Sequence, residues 1–330
     1  MPAGEFKAGV KDMHGREEIA FERRHVMSTA AYTLDSTHIV YSLAPYHPPA
    51  LSVPEGAVVH IETCDCFENQ IEREDQDFGT LDWSRINPAT GPVYVEGAAP
   101  GDLLAVHILD IQLAKRGIMT TGPGLGVMGD QLSENAIRFA EIDQDQVVLP
   151  GGVRAPLRPM IGVIGVAPAC GEVPCGTPGD HGGNMDCTRI TAGAVLLLPV
   201  SAPGALFALG DLHAAMGDGE VGVSGVEIAG RVTVRLNVVR GASCPAPMVV
   251  SPDDVSVIAS AATLDEAAEL ATKRAATWLS AAARLHLADA AMLLSAAGRL
   301  RICQIVDPLK TARMEIDRRL LEQLGVPLPV

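Results

Sequence analysis

The sequence predicts a mainly β protein with an α+β C-terminal part. Three observations carry this. Glycine and proline cut residues 45–250 into short stretches, those stretches are β-branched, and alanine- and leucine-rich helical sequence appears only after residue 250. GAVVHIET (56–63) and PVYVEGAAPGDLLAVHILDIQL (92–113) are the first strand-forming runs. Within the second, 104–109 is apolar on both faces apart from His107, which predicts a strand covered on each side. AVLLLPV (194–200) is another such run. GRVTVRLNVV (230–239) alternates polar and apolar residues from Arg231 to Asn237, the period-two pattern of a half-buried antiparallel strand. TLDEAAELATKRAATWLSAAARL (263–285) is the clearest helix. It opens with a Thr263-x-x-Glu266 capping box and has acids in its first turn. A shorter helix runs from Leu287 or Asp289 to Ala297 and stops at Gly298. RICQIVD (301–307) then reads as one more strand before Pro308. The chain therefore divides into an N-terminal arm (1–30), a mainly β core (31–250) and an α+β part (251–330). That last part holds the long helix at 263–285 and a charged, helical tail from 308.

The bulk properties exclude several functions. A net charge of −15 repels phosphate backbones and anionic lipid, so neither nucleic acid nor a membrane surface is an expected partner. No stretch of 18 uninterrupted apolar residues occurs, and the first residues are too charged for a secretory signal, leaving the cytoplasm as the expected compartment. Seven cysteines, an odd number without a CxxC pair, are expected to be thiols rather than a disulfide or zinc-ribbon framework.

Three clusters hold chemistry-bearing residues. IETCDCFENQI (61–71) offers Glu62, Asp65, Cys66 and Glu68. PGDHGGNMDC (178–187) offers Asp180, His181, Asn184 and Asp186. GDLHAAMGDGE (210–220) offers Asp211, His213, Asp218 and Glu220, with Glu227 beyond it. In an extended chain residues i and i+2 share a face, so Asp211 with His213, Asp218 with Glu220, and Asn184 with Asp186 are paired. Mixed histidine and carboxylate sets suit zinc or a similar divalent ion, whereas calcium takes more oxygen ligands. Asp218-Gly219 is equally a common hairpin turn. His107, in a strand, and His286, on a helix, read as structural. Cys187 reads as a structural thiol with a nucleophile as the alternative.

The chain resembles the acetamidase/formamidase family. The likeness is carried by PVYVEGAAPGDLLAVHI, by IGVIGVAPA…PG (161–179), by HGGNMD (181–186), and by PGALFALGDLHAAMGDGEV (203–221) with Glu227 after it; ETCDCFENQI resembles the family's N-terminal site segment. Order and spacing hold from about residue 30 to 307, while the first thirty residues and the segment from 308 depart from the family pattern. The resemblance implies a β-sandwich-like core with a β-barrel element and a small α/β portion, a catalytic role for 31–250, and homo-oligomers. It also implies hydrolysis of small neutral amides such as formamide or acetamide, or of γ-lactams, to carboxylate and ammonia. Carried over by position, Asp65, Asp186 and His213 are the metal ligands, His181 and Glu227 are additions, and Glu220 is the general base. Asn184 and His181 are further catalytic candidates, and Asp211, Asp218 and Cys66 further ligand candidates. The expected mechanism is attack by metal-activated water, with Glu220 shuttling the proton. Two alternatives stand beside it. One is a thiol-dependent amidase using Cys66 or Cys187; the other is a non-catalytic β-rich module that binds small molecules or metal, with calcium as a structural ion.

Overall fold

The computed structural model describes residues 31–330 except positions 243, 244, 246 and 329, so the expected arm at 1–30 lies outside the described residues. A nine-stranded sheet runs in the order Tyr32–Leu34, Val58–Thr63, Gly230–Val239, Leu103–Leu113, Val195–Pro199, Met248–Val250, Asp254–Ala261, Lys310–Asp317, Arg299–Gln304. An eleven-stranded sheet runs Arg154–Pro156, Gln146–Val148, Ala136–Asp143, Arg116–Thr121, Glu227–Ile228, Phe207–His213, Met160–Gly165, Gly182–Asn184. Ala89–Val95 also joins Phe207–His213 and carries Ile39–Val40 and Leu51–Val53.

The mainly β class with helices in the C-terminal part holds, but no closed barrel forms among the described residues. One cause is a branch in the second sheet. A single edge of Phe207–His213 pairs with Ala89–Val95 up to Gly210, then with Glu227–Ile228 from Leu212 onward. A strand that divides its edge between two partners fans the sheet out rather than closing it. Asp211 sits at that fork.

Inward residues of both sheets meet in one apolar core, including Val232, Val234 and Leu236 from the first and Ile161, Ile164, Phe207, Leu209 and Leu212 from the second. The predicted alternation in Gly230–Val239 is thus used as a one-sided strand, with Arg231 exposed. The strand Leu103–Leu113 is covered on both faces as far as Ile108: Leu104 and Val106 enter this core and Ala105 a second one, while Leu109 is exposed.

The second core lies between the last strands and the helices α1 (Leu264–Ala283) and α2 (Leu287–Ala297). The Thr263/Glu266 capping box is present, and Arg284 ends α1 in a left-handed conformation. The segment from 308 differs from expectation: Lys310–Asp317 is a strand, and only α3 (Arg318–Gln323) is helical. Met314 and Ile316 pack on the helices and Ala312 is buried, whereas Thr311, Arg313 and Glu315 are buried polar residues of the alternate positions. Period two was there, hidden because the charged face is not solvated.

Candidate active site

The site grows from the fork at Asp211. All seven residues of Phe207–His213 are buried, so two polar side chains at its end are held inside the molecule. The predicted pairing holds: Asp211 Oδ1 lies 3.4 Å from His213 Nε2. In the neighbouring strand, Ile161 faces Leu212 and Val163 faces Gly210, which puts Gly162 opposite Asp211. A methyl carbon at Gly162 would lie 2.5 Å from both Asp186 Oδ1 and Asp211 Oδ2, so only glycine leaves room for the two carboxylates to converge.

Asp186 comes from the turn after Gly182–Asn184, the next strand across. Glu227 faces His213 in register, and its Oε2 is 3.0 Å from His213 Nε2. Glu220 reaches in from the following loop, its Oε1 4.0 Å from the same nitrogen and accepting a 3.1 Å hydrogen bond from the Gly225 N–H. The loop is fastened on two sides: Ser224 bonds to the backbone of Thr120, and Gly219 pairs with the strand Arg299–Gln304. Asp186, Asp211 and Glu220 have φ of 43°, 55° and 50°. Three acidic residues of one site in the left-handed region are a local strain that the surrounding structure maintains, a pattern typical of functional positions.

The Gly219 pairing also delivers a residue that sequence reasoning missed. Asp307 follows the strand Arg299–Gln304, and Gln304 Oε1 accepts the N–H groups of Val306 and Asp307. Asp307 Oδ2 accepts a 3.1 Å hydrogen bond from Asn184 Nδ2. Its only local signal is an acid before proline at a strand end; the contact spans 123 residues.

Other candidates go elsewhere. Asp218 turns away from Glu220 to Arg313, 2.8 Å away, and to Thr188. His181 folds against Gly179 and Gly183 of its own loop. Asp65 is buried near Asp211, but its Oδ1 caps a turn by accepting the N–H groups of Phe67 and Asn69. Glu62 pairs with Arg231, Glu68 with Arg85 and Asp180 with Arg274, all at the surface. Cys66 joins the cluster, its thiol grouped with Asp211 and Glu227. Cys187 lies instead against Cys303 and Arg313. Both are free thiols, as are Cys64, Cys170, Cys175 and Cys303.

The electrostatics of the cluster are unbalanced. Burial pushes the carboxyls of Asp186, Glu220 and Asp307 well above the ordinary range, and neighbouring acids add to it. Burial pulls His213 down, but the carboxylates of Glu227 and Asp211 outweigh it and hold the imidazole well above its usual value. Burial, then Glu227 and Asp211, push the Cys66 thiol up, which disfavours a free thiolate nucleophile. Both oxygens of Asp186, both ring nitrogens of His213 and Glu227 Oε2 are buried without an aligned hydrogen bond. Such groups are normally satisfied, and a divalent cation would give the carboxylate oxygens and one imidazole nitrogen a partner. The donor set fits one: Asp186, His213 and Glu220 offer atoms within 4.8 Å of one another, as do Cys66, Asp211 and Glu227.

A cavity of about 120 Å³ opens on this cluster. Its polar wall includes Asn184, Asp211, Glu220, Glu227 and Asp307; Phe67, Trp83, Ile86 and Leu125 supply the apolar wall. That is the liquid volume of roughly four water molecules, well below the ~300–1,000 Å³ of pockets for drug-sized ligands.

Comparison with known proteins gives a consistent result. The model of the Acetamidase/Formamidase family matches residues 37–174 and 171–308. The crystal structure of an acetamidase from Bacillus halodurans is 48% identical with a TM-score of 0.88, covering 89% of this chain and 100% of that one. A predicted acetamidase/formamidase from Thermoanaerobacter tengcongensis is 44% identical, also with a TM-score of 0.88, covering 90% and 99%. A formamidase from Methylophilus methylotrophus is 25% identical over 255 residues, 59% of this chain and 63% of that protein. The chain spans slightly less than two thirds of the length of the curated relatives it matches. Among the described residues, no helix is long and apolar enough to cross a membrane.

Proposed function

We propose, because this chain belongs to the acetamidase/formamidase family, that it hydrolyses a short aliphatic amide to a carboxylate and ammonia. The observation that carries the proposal is that Asp211, Glu220 and Glu227 line a cavity that admits only a few heavy atoms, with Asp186 and His213 in contact with them. The apolar wall of Phe67, Trp83, Ile86 and Leu125 suits the alkyl end of the substrate. Asn184 Oδ1, buried and without a partner, is free to accept an N–H from the substrate amide while Nδ2 donates to Asp307.

Asp186, His213 and Glu227, with Asp211 and Cys66 beside them, would hold a divalent cation, and the imidazole and thiol among the donors favour zinc over calcium. Such an ion supplies Lewis acidity, polarising the amide carbonyl and making water a stronger acid. The chain supplies the proton transfers. Glu220 takes a proton from the attacking water and returns it to the departing nitrogen. Burial and the neighbouring Asp186 push its carboxyl up, and the Gly225 N–H fixes its orientation. The surroundings of Cys66 oppose a thiol route, and Cys187 does not line the cavity.

Ammonia release across formamide, acetamide, longer amides and γ-lactams tests the proposal. Turnover should favour the shortest linear amides and fall as the alkyl chain outgrows the cavity; no ammonia from any of them overturns it.

A further inference from the structure

The cluster holds more donors than one ion uses, and they divide into two groups. Asp186, His213 and Glu220 form one, Cys66, Asp211 and Glu227 the other, each with donor atoms within 4.8 Å. The groups touch: His213 Nε2 is 3.0 Å from Glu227 and 3.4 Å from Asp211. Charge makes the same point. Four buried acids, Asp186, Asp211, Glu220 and Glu227, lie within 4.0 Å of one imidazole, and Asp307 borders the same cavity. A single divalent ion offsets two of those charges, and two ions offset four. A tetrahedral ion also takes only four donors.

We propose that the site is a two-cation centre. One ion sits on Asp186 and His213; the second sits on the Cys66 thiolate and Glu227, and Asp211 stands between them as the shared carboxylate. Orphaned atoms occur on both sides of the division, Asp186 and His213 on one and Glu227 Oε2 on the other, so neither group is satisfied by the protein alone. Glu220, furthest of the four acids from His213 Nε2 and already bonded to Gly225, borders the first ion and remains the proton carrier. The division of labour deepens the hydrolase reading above and rests on it. A pair of ions is a recurrent arrangement for hydrolysis, where one charge orients the nucleophile and the other the substrate oxygen.

Cobalt titration of the full-length chain, stripped with a chelator, tests the pair without reference to turnover. We expect two equivalents of Co²⁺, one of them accompanied by a thiolate-to-cobalt charge-transfer band. Cys66→Ser should bind one equivalent and lose the band. Because that variant could fail to fold, manganese-loaded wild-type protein provides a second readout: two neighbouring ions give a spin-coupled resonance spectrum, isolated ions do not. One equivalent in the wild type, a band that survives Cys66→Ser, or an uncoupled manganese spectrum overturns the proposal. A single-ion protein that still releases ammonia from acetamide sinks the pair and leaves the hydrolase standing. A protein that binds two ions and releases none does the reverse.

Discussion

Two buried charged regions of this protein, one at each end of the Gly217–Glu220 loop, are built on opposite plans. Near the C-terminal strands, Arg189, Arg299 and Arg313 meet Asp218, Asp254 and Glu315 in ion pairs of 2.6–3.6 Å. At the fork of the second sheet, four buried acids meet one histidine and leave several atoms without aligned hydrogen bonds. The pKa shifts follow. Burial pushes Glu315 up, but Arg313, Arg189 and Arg299 prevail and hold it down at about 2. Among the described residues no arginine attends Asp186 or Glu220, and burial pushes both up. A balanced buried network is an internal brace; an unbalanced one is a site awaiting positive charge from outside the chain.

Substitution should separate the two. Glu220→Gln is expected to cost about 10²–10⁴-fold in turnover of acetamide while leaving the melting temperature unchanged, since on the proposed reading it removes a proton carrier, while the amide oxygen can keep the Gly225 N–H. A matching loss of stability would make Glu220 part of the brace. Arg313→Ala should do the converse, destabilising by about 3–5 kcal/mol in denaturant unfolding, because Glu315 would be left buried with fewer partners.

Acid provides a subtler contrast. The Glu315 carboxyl, lowered from 4.5 to about 2 on folding, contributes stability that is fully present above pH 4.5 and lost as pH falls toward 2. The loss should total about 3 kcal/mol, and Glu315→Gln should flatten that part of the stability–pH curve. The smallest effect belongs to Asp186→Asn in chelator-stripped protein. Removing one of several mutually repelling acids should leave stability unchanged or slightly raised, within about 1 kcal/mol; a large loss would mean that Asp186 has a protein partner.

How much of this was legible in the sequence depends on range. Asp211 and His213 lie in one strand, and their two-residue spacing does bring them together although Asp211 itself is left-handed. Asp218 and Glu220 have the same spacing and part company, because they lie in a loop where Arg313 and Thr188 draw Asp218 away. His181 sits in the same glycine-rich loop as Asp186, but the chain doubles back through Gly182 and Gly183, both at positive φ, so proximity in sequence does not bring it to the cluster. Asp307 arrives through a bridge between Gly219 and Gln304 that no local pattern encodes. The strand Lys310–Asp317 was disguised for a related reason: its polar face is buried against arginines and acids, so its charges mimic those of a solvated helix.

On the proposed reading, the acid-rich fork works only with a divalent cation. Ammonia release from acetamide should be measured on the full-length chain as purified, after chelation, and after zinc is returned. Activity is predicted to vanish on chelation and to recover with zinc. Full activity in the metal-free protein would contradict the account.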